Sequence, residues 1–398
     1  MKNKKKKKKS FFTIGYNASN ILGLSLFIRL GGASFAFKVY CSSFISIVTF
    51  TLITALVKVD LDPNVFFGIS MICVILSGVV IALFQNGIFG LSAKFPAKYT
   101  SAVMGGQGFA GTVVSLSQIF TALIVPPGSE ESSSSTELSA LLYFSVAVFV
   151  MCVSVFSFGA LMRLPIFFHY TDTNGELRPQ IQYSSNNSSK SSFSSTSGPT
   201  QKKNTIQEYW EIFKQIWDLA IAVTSVFFIT LALFPTITGA IESVNETSSS
   251  RIFGDIFIPF SFLLFNFGDL IGRTVSSNYQ VIPSRFMLGF CLTRIIFFFF
   301  FLCSNVVLRD SDGNIIEKSL PVLFGNDYAY WIIMMAFAIT NGYFSSLCMM
   351  YGPERVKQDE REKAGIIMIY FLVLGLFFGS LFSFALRAIL CKCNPFIS

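Results

Sequence analysis

Residues 252–275 read IFGDIFIPFSFLLFNFGDLIGRTV. Between Asp255 and Asp269 the stretch has no charged residue, and roughly 20 apolar residues allow a helix to cross the hydrocarbon core of a bilayer. The stretch therefore predicts a transmembrane helix. It also places two opposite charges, Asp269 and Arg273, inside that helix.

The composition of the whole chain agrees with a membrane protein. Of its 398 residues, 52% are hydrophobic, 13% are charged and 47 are phenylalanine. Soluble domains carry about a quarter charged residues, so this balance lies well outside their range. We therefore predict an all-α polytopic membrane protein.

Eight further stretches have the length and composition of a span. The nine predicted spans are 39–57, 65–91, 102–125, 138–161, 219–240, 252–275, 286–308, 329–351 and 365–390. A tenth stretch, 21–30, is too short to cross alone unless the polar residues 17–20 extend it.

Lysine and arginine predict the orientation, because cytoplasmic loops carry an excess of both. When the loop 163–214 is placed in the cytoplasm, most loop cations fall on its side. Seven lysines at positions 2 and 4–9 predict an amino terminus inside, as a basic tail against anionic lipid. The sequon Asn245-Glu246-Thr247 then lies outside, which makes Asn245 a glycosylation candidate.

A polar segment divides the chain. Residues 171–205 are rich in Ser, Asn, Gln and Thr and have too little apolar surface to fold. Two groups of spans on either side suit a carrier whose halves rock around a central site. The predicted divisions are a basic tail (1–16), an N-terminal helix bundle (17–162), a cytoplasmic linker (163–213), a C-terminal helix bundle (214–391) and a tail (392–398).

The chain lacks the residues of most enzymatic chemistry. His169 is the single histidine, so a histidine-based metal site or catalytic triad is not expected. The eight cysteines show no metal-ligand spacing, and most lie in apolar stretches as inert core thiols. We expect no enzyme, no cofactor and no metal, with the lipid bilayer rather than nucleic acid as a partner.

Asp269 and Arg273 are four residues apart, so a helix places the carboxylate and the guanidinium on one face. Pairing offsets much of the cost of burial, and the planar guanidinium keeps spare donors for a ligand. An ion pair that only joins helices has the same sequence pattern. Both interpretations stay open at this level.

Other polar positions interrupt apolar stretches and are functional candidates for that reason. Gln85 offers a donor and an acceptor, either to a heterocycle or to another helix. Arg294 is embedded, which predicts bonds to carbonyls or to a carboxylate on a neighbouring helix. Asn341 fits a cavity lining or helix packing, and the glycines around Gln107 favour close helix packing.

Four motifs follow one another along the chain. They are residues 85–111 (QNGIFGLSAKFPAKYTSAVMGGQGFAG), 266–273 (NFGDLIGR), 340–365 (TNGYFSSLCMMYGPERVKQDEREKAG) and 382–389 (FSFALRAI). In this order they resemble the equilibrative nucleoside transporters, over the chain from about residue 53 to residue 390 with the linker excepted. The resemblance implies eleven spans, six before a large cytoplasmic loop and five after it, in a fold similar to the major facilitator superfamily.

The same resemblance implies a nucleoside between the halves. Gln85 matches a residue that faces the nucleobase, and Asp269 and Arg273 match residues that contact the ribose region. Nearby walls are implied to be Asn266, Phe262 and Leu376. Residues expected to support the site or to modulate transport are Gly106, Gly111, Arg294 and Asn341.

The sequence departs from the family in two places. Ile81 stands where well-known members carry a glycine, so inhibitor sensitivity and base preference are not transferred. The first span has no counterpart and only the end of the second is found, near residues 20–31. Nine or ten of the eleven spans are therefore expected in this chain, and a truncated or mispredicted start is the preferred account.

The primary hypothesis is facilitative nucleoside transport by alternating access, with the plasma membrane as the favoured location and an intracellular membrane as the alternative. One alternative is a nucleobase carrier or a proton-coupled carrier, with Asp269 as the coupling carboxylate although its arginine partner favours the ionised form. Another alternative is a transport-inactive membrane protein.

Overall fold

The computed structural model describes residues 2–30, 33–56, 62–124, 133–171, 205–245, 250–309, 315–316 and 320–391. Its helices are α1 (Lys2–Leu30), α2 (Phe35–Leu56), α3 (Pro63–Lys94), α4 (Ala97–Ile124), α5 (Ser133–Leu161), α6 (Pro165–Thr171), α7 (Thr205–Leu233), α8 (Phe257–Asn278), α9 (Met287–Thr293), α10 (Ile296–Leu302), α11 (Asp327–Glu354) and α12 (Arg361–Cys391). Two short antiparallel strands are β1 (Leu308–Arg309) and β2 (Ile315–Ile316). The prediction of an all-α polytopic membrane protein is confirmed.

Helices occupy all of the predicted spans, but they differ in how apolar they are. Within the described residues, six helical segments are long and apolar enough to cross a membrane, or seven if the pair α5 and α6, bent by 75°, forms one span. The helices α4 and α8 lie outside this set. They carry Gln107 and the pair Asp269 and Arg273, which make them more polar. The count of nine or ten crossings stays a prediction.

Local sequence explains the hairpin of α3 and α4. Asp62 caps α3 because its carboxylate accepts the backbone N–H of Asn64 at 2.8 Å, and Pro63 occupies the first helical turn, where its missing N–H is harmless. Phe95 is extended, as the residue before a proline prefers, and Pro96 precedes α4. We call the end of the helices with this turn the inner end, following the predicted orientation, and the opposite end the outer end.

The direction of α1 corrects one prediction. Gly78 of α3 lies against Ser19, further along α1 Gly23 lies against Ala82, and Phe12 contacts Phe67 with ring centroids 5.3 Å apart. Residue numbers rise together on both helices, so α1 and α3 are parallel. The lysine run therefore lies at the end opposite the α3–α4 turn, so the amino terminus and this turn cannot both be inside, as the two predictions together require. Close packing of small residues, rather than loop charge, sets the direction.

The predicted span 286–308 is also revised. Its helix is interrupted at Arg294, where the N–H of Phe297 bonds the carbonyl of Arg294 in a tighter i to i+3 turn. It ends at Leu302, because the carbonyl of Cys303 then accepts the N–H of Leu323 at 2.8 Å and the chain continues extended.

Three hydrophobic cores show where the helices before residue 172 (the N-terminal helices) meet those after residue 204 (the C-terminal helices). The first core joins both groups and lies toward the inner end, with Phe89 and Met104 packed among residues of α7, α11 and α12. The second core contains C-terminal helices only, toward the outer end, and the third contains N-terminal helices only. Among these three clusters, the two groups share a core only near the inner end.

The predicted division of the chain into bundles and a linker stays a prediction. Helix α6 and the start of α7 lie within the predicted linker bounds of 163–213, so the helices extend into it from both sides. The linker residues 172–204 and the predicted tail 392–398 lie outside the described residues. Most of the predicted basic tail, 1–16, belongs to α1.

Candidate functional site

The centre of the site is one face of α8. Asp269 and Arg273 are each 5% exposed, and Nε of Arg273 donates to Oδ2 of Asp269 at 2.6 Å. The i to i+4 spacing predicted this pair. In a span, a pair of opposite charges costs far less than either charge alone.

The second carboxylate oxygen is bonded from α11. Nδ2 of Asn341 donates to Oδ1 of Asp269 at 2.7 Å. This bond is short because α8 and α11 are in backbone contact: a Cβ at Gly342 would overlap the carbonyl oxygen of Asp269, and a Cβ at Gly272 would overlap that of Ile339. Glycine at these two positions allows the approach.

Arg273 also connects α8 with α4. Its Nη1 donates to the carbonyl of Met104 at 3.2 Å and to Oε1 of Gln107 at 3.3 Å, and Oγ of Ser101 donates to its backbone carbonyl at 3.3 Å. Among the described residues, none accepts a hydrogen bond from Nη2. Arg273 thus links an N-terminal helix to a C-terminal helix and keeps a donor free.

One turn earlier on α8, Asn266 makes a second contact with α4. Its Nδ2 donates to Oγ of Ser115 at 2.7 Å and to the carbonyl of Phe262 at 2.9 Å. A Cβ at Gly111 would overlap Oδ1 of Asn266, so a larger residue at this position would force the Asn266 amide to move. The ring of Phe262 packs edge-on to Phe234, with centroids 5.0 Å apart. The predicted residues Asn266, Phe262 and Gly111 therefore lie together.

Arg294 extends the network away from the α4–α8 contact. It is 1% exposed, and its four Nη hydrogens reach four acceptors on α7 and α11. They are the carbonyl of Val226 (3.1 Å), Oδ1 of Asn341 (3.1 Å), Oγ1 of Thr230 (3.1 Å) and the carbonyl of Phe337 (3.2 Å). Asn341 therefore stands between Arg294 and Asp269, and the network contains two guanidinium groups and one carboxylate.

Three predicted site residues do not join this network in the described residues. Gln85 is half-buried on α3, and its buried Oε1 has no donor there. Leu376 packs against the first hydrophobic core on α12. Gly106 is exposed, and nothing lies within 4 Å of a Cβ placed on it. Their roles stay predictions.

Two contacts of the pair are not predicted by the sequence. The glycines around Gln107 indicate only close helix packing, and no pattern assigns Asn341 a specific partner. Their signal is that each is an amide in the middle of an apolar or glycine-rich stretch. The sequence does not say which helix faces each amide, so it could not connect them to Arg273 and Asp269.

The glycosylation candidate Asn245 is exposed, and its Nδ2 donates to Oδ2 of Asp327 at 2.9 Å. Asp327 also accepts from Oγ of Ser243 (2.7 Å) and the N–H of Val244 (3.1 Å), so it anchors this loop to the start of α11. Residues 246–249 of the sequon loop lie outside the described residues, and glycosylation stays a prediction.

At the outer end, Arg251 contacts α4. Its Nη2 donates to the carbonyl of Ala122 at 2.6 Å and to Oδ2 of Asp255 at 2.6 Å. A cation at the carboxyl end of a helix is favourable. The hydrogen bond from Arg251 lowers the pKa of Asp255.

The fold and the site together define an integral, multi-pass membrane protein with a buried polar site between N-terminal and C-terminal helices. The nucleoside transporter family model matches residues 69–388. The chain belongs to the equilibrative nucleoside transporter family.

Curated relatives agree over most of the chain. It is 35% identical over 362 residues to equilibrative nucleoside transporter 1 of Homo sapiens, covering 87% of this chain and 75% of the relative. It is 30% identical over 370 residues to equilibrative nucleoside transporter 2 of Homo sapiens (86% and 77%) and 27% identical over 353 residues to equilibrative nucleoside transporter 3 of Rattus norvegicus (86% and 70%).

Proposed function

We propose that this protein carries nucleosides passively across a membrane by alternating access, without covalent chemistry. The relatives are named as equilibrative nucleoside transporters, and the family match covers the helices that build the site. The observation that carries the proposal is the bridge from Arg273 to both Asp269 and α4, with its Nη2 unbonded among the described residues.

The bridge has the donors and acceptors that a ribose needs. Nη2 of Arg273 can donate to a ribose hydroxyl. Each oxygen of Asp269 accepts one protein hydrogen bond, and a carboxylate oxygen has a second lone pair for a hydroxyl donor. Gln107 is exposed beside the guanidinium and can exchange partners when a sugar binds. We assign the ribose to this place.

The residues proposed to surround the nucleobase are assigned from the chemistry of their side chains. Gln85, whose Oε1 has no donor among the described residues, can accept a hydrogen bond from a nucleobase amine. Phe262 and Leu376 offer apolar surface to the base. Gly111 supports the site indirectly, because it leaves space for Asn266.

The contacts between helices suit a carrier closed at its inner end. Nζ of Lys94 lies 2.9 Å from Oε2 of Glu362, and Gly365 packs against the backbone of Phe89. The shared hydrophobic core lies at the same end. Transport would separate these contacts and bring the outer ends together, as in a two-bundle, major-facilitator-like carrier.

Uptake in a transport-deficient host tests the proposal. The parent protein is expected to take up labelled adenosine or uridine down a gradient, with no gain from an imposed proton gradient. Uptake of adenine alone would support a nucleobase carrier, and uptake that requires the proton gradient would support a coupled carrier. Absence of uptake, with the protein present in the membrane, would support the transport-inactive alternative.

Asp269→Asn is the matched site variant. It keeps the shape of the side chain and removes the charge that pairs with Arg273. We expect uptake to fall at least tenfold, because charge-assisted hydrogen bonds are about twice as strong as neutral ones and misplaced site groups are costly. Equal uptake by Asp269→Asn and the parent would refute the assigned role of Asp269.

A further inference from the structure

We propose that Arg294 is a positioning residue of the nucleoside site, which orients Asn341 so that its amide nitrogen faces Asp269. The assignment rests on the proposed function. Arg294 does not touch Asp269, because the side chain of Asn341 lies between them. In the described part of the chain, no acidic side chain lies within ion-pair distance of Arg294.

The amide of Asn341 has a donor end and an acceptor end. A guanidinium only donates hydrogen bonds and a carboxylate only accepts them. The atom of Asn341 that faces Arg294 must therefore be its oxygen, and the atom that faces Asp269 must be its nitrogen. A flipped amide would place N–H against N–H on one side and two oxygens against each other on the other.

Two donors hold the amide oxygen of Asn341. Oδ1 of Asn341 lies 3.1 Å from Nη1 of Arg294 and 2.7 Å from the hydroxyl of Thr230. That hydroxyl also lies 2.8 Å from the carbonyl of Val226, so its single proton is shared between two acceptors. Arg294 is the charged donor to this oxygen, and together with Asp269 on the other side of the amide it makes one orientation unambiguous.

Arg294 is itself held in place by its backbone and by its neighbours. The tight turn between α9 and α10 projects its side chain between α7 and α11, and its guanidinium carbon lies 4.7 Å from the centre of the Phe337 ring. All four Nη hydrogens are bonded within the protein, and Nε, which has no acceptor among the described residues, is itself buried, so no donor of Arg294 faces open space for a substrate. Arg294 therefore acts through Asn341, and the ribose contact belongs to Asp269 and Arg273.

Ribose discrimination is the readout that separates positioning from simple packing. Uptake kinetics of uridine, 2′-deoxyuridine and 3′-deoxyuridine are compared in the parent and in Arg294→Gln. We expect Arg294→Gln to raise KM for uridine about tenfold, since one charge-assisted hydrogen bond loses its geometry. KM for the analogue that lacks the hydroxyl bound by Asp269 should change much less. Phe301→Leu, a fully buried change on α10, is the packing control. It should leave the ratio of KM for uridine to KM for the deoxy analogue unchanged.

A double-mutant cycle tests the route through Asn341. If Arg294 acts through this amide, Arg294→Gln should have little further effect in an Asn341→Ala background. Additive losses, or equal losses for all three nucleosides, would overturn the assignment. Membrane abundance is measured for every variant. If Arg294→Gln does not accumulate, Arg294→Lys, which keeps the charge and a donor for Oδ1, replaces it in the same cycle and should retain part of the discrimination.

The outcome also separates this assignment from the proposed function. If the parent neither transports nor binds a nucleoside, as measured by uptake and by ligand-induced thermal stabilisation, the proposed function and the role of Arg294 are both refuted. If the parent transports uridine but the cycle is additive, the proposed function stands and only the role of Arg294 is refuted.

Discussion

Gly342 of α11 lies directly against the carbonyl oxygen of Asp269 on α8, and any side chain at position 342 would overlap it. The neighbouring residue Asn341 bonds the carboxylate of the same aspartate at 2.7 Å. We call this close contact of α8 and α11 at Gly342 and Asp269 the seam. The seam therefore fixes the geometry of the site. A change in helix spacing would therefore also change the geometry of the proposed ribose contacts.

Gly342→Ala should damage both stability and transport. The added methyl group forces α8 and α11 apart, and overpacking of this kind costs about 1–3 kcal/mol. Thermal unfolding of the purified protein and uridine uptake measure the two effects. Gly289→Ala is the control, because nothing lies within 4 Å of a Cβ at that position. Similar thermal midpoints for the two variants would contradict the role of the seam.

Gln107→Glu should slow turnover while it stabilises the protein. A carboxylate beside Nη1 of Arg273 would strengthen the link between α4 and α8 that now depends on a 3.3 Å hydrogen bond. An added ion pair of about 1 kcal/mol corresponds to roughly a fivefold fall in the maximal uptake rate if this contact must rearrange during transport. Gln107→Ala is the comparison and should not raise the thermal midpoint. Faster uptake by Gln107→Glu would show that the contact does not resist transport.

Lys94 and Glu362 should act as a closing contact of the inner end. Either charge reversal, Lys94→Glu or Glu362→Lys, is expected to favour opening there, and the double reversal should restore most of the parent behaviour. The interaction free energy between Lys94 and Glu362 should be about 0.2–1 kcal/mol, because both side chains are partly exposed. Maleimide labelling of a cysteine introduced as Phe89→Cys, a buried position of α3 that lies against Gly365 of α12, reports opening when mass spectrometry locates the label. Failure of the double reversal to lower the labelling would argue against direct pairing.

Asp255 should make the stability of the outer contact dependent on pH. The hydrogen bond from Arg251 lowers the pKa of Asp255 in the folded protein, so its stabilising effect is present above the ordinary aspartate pKa of about 3.9. It is lost as the pH falls through the lowered value. Thermal midpoints of the parent and Asp255→Asn should therefore differ at neutral pH and converge in strong acid. If the difference between the two thermal midpoints grew as the pH fell, the pKa of Asp255 would not be lowered in the folded protein.

The sequence by itself determined the class of fold and the position of the helices. Apolar stretches of span length mark where backbone must be helical in lipid, because hydropathy is a local property of the chain. The spacing of four residues between Asp269 and Arg273 likewise predicted their pairing, since it depends only on helix geometry. The structure differs from the sequence prediction in two places, and both differences have tertiary causes. The turn at Arg294 accompanies side-chain bonds to α7 and α11, and the direction of α1 follows its packing on α3.

Only the tertiary structure decided what the pair contacts. Asn341 is 72 residues from Asp269 along the chain, and Gln107 is 166 residues from Arg273. No periodic pattern in the sequence connects residues at such separations. Their meeting depends on which helix faces turn toward each other, and close contacts at Gly342 and Gly111 set those faces. A possible ion pair in the sequence thus becomes, in the folded protein, a bridge between α4, α8 and α11.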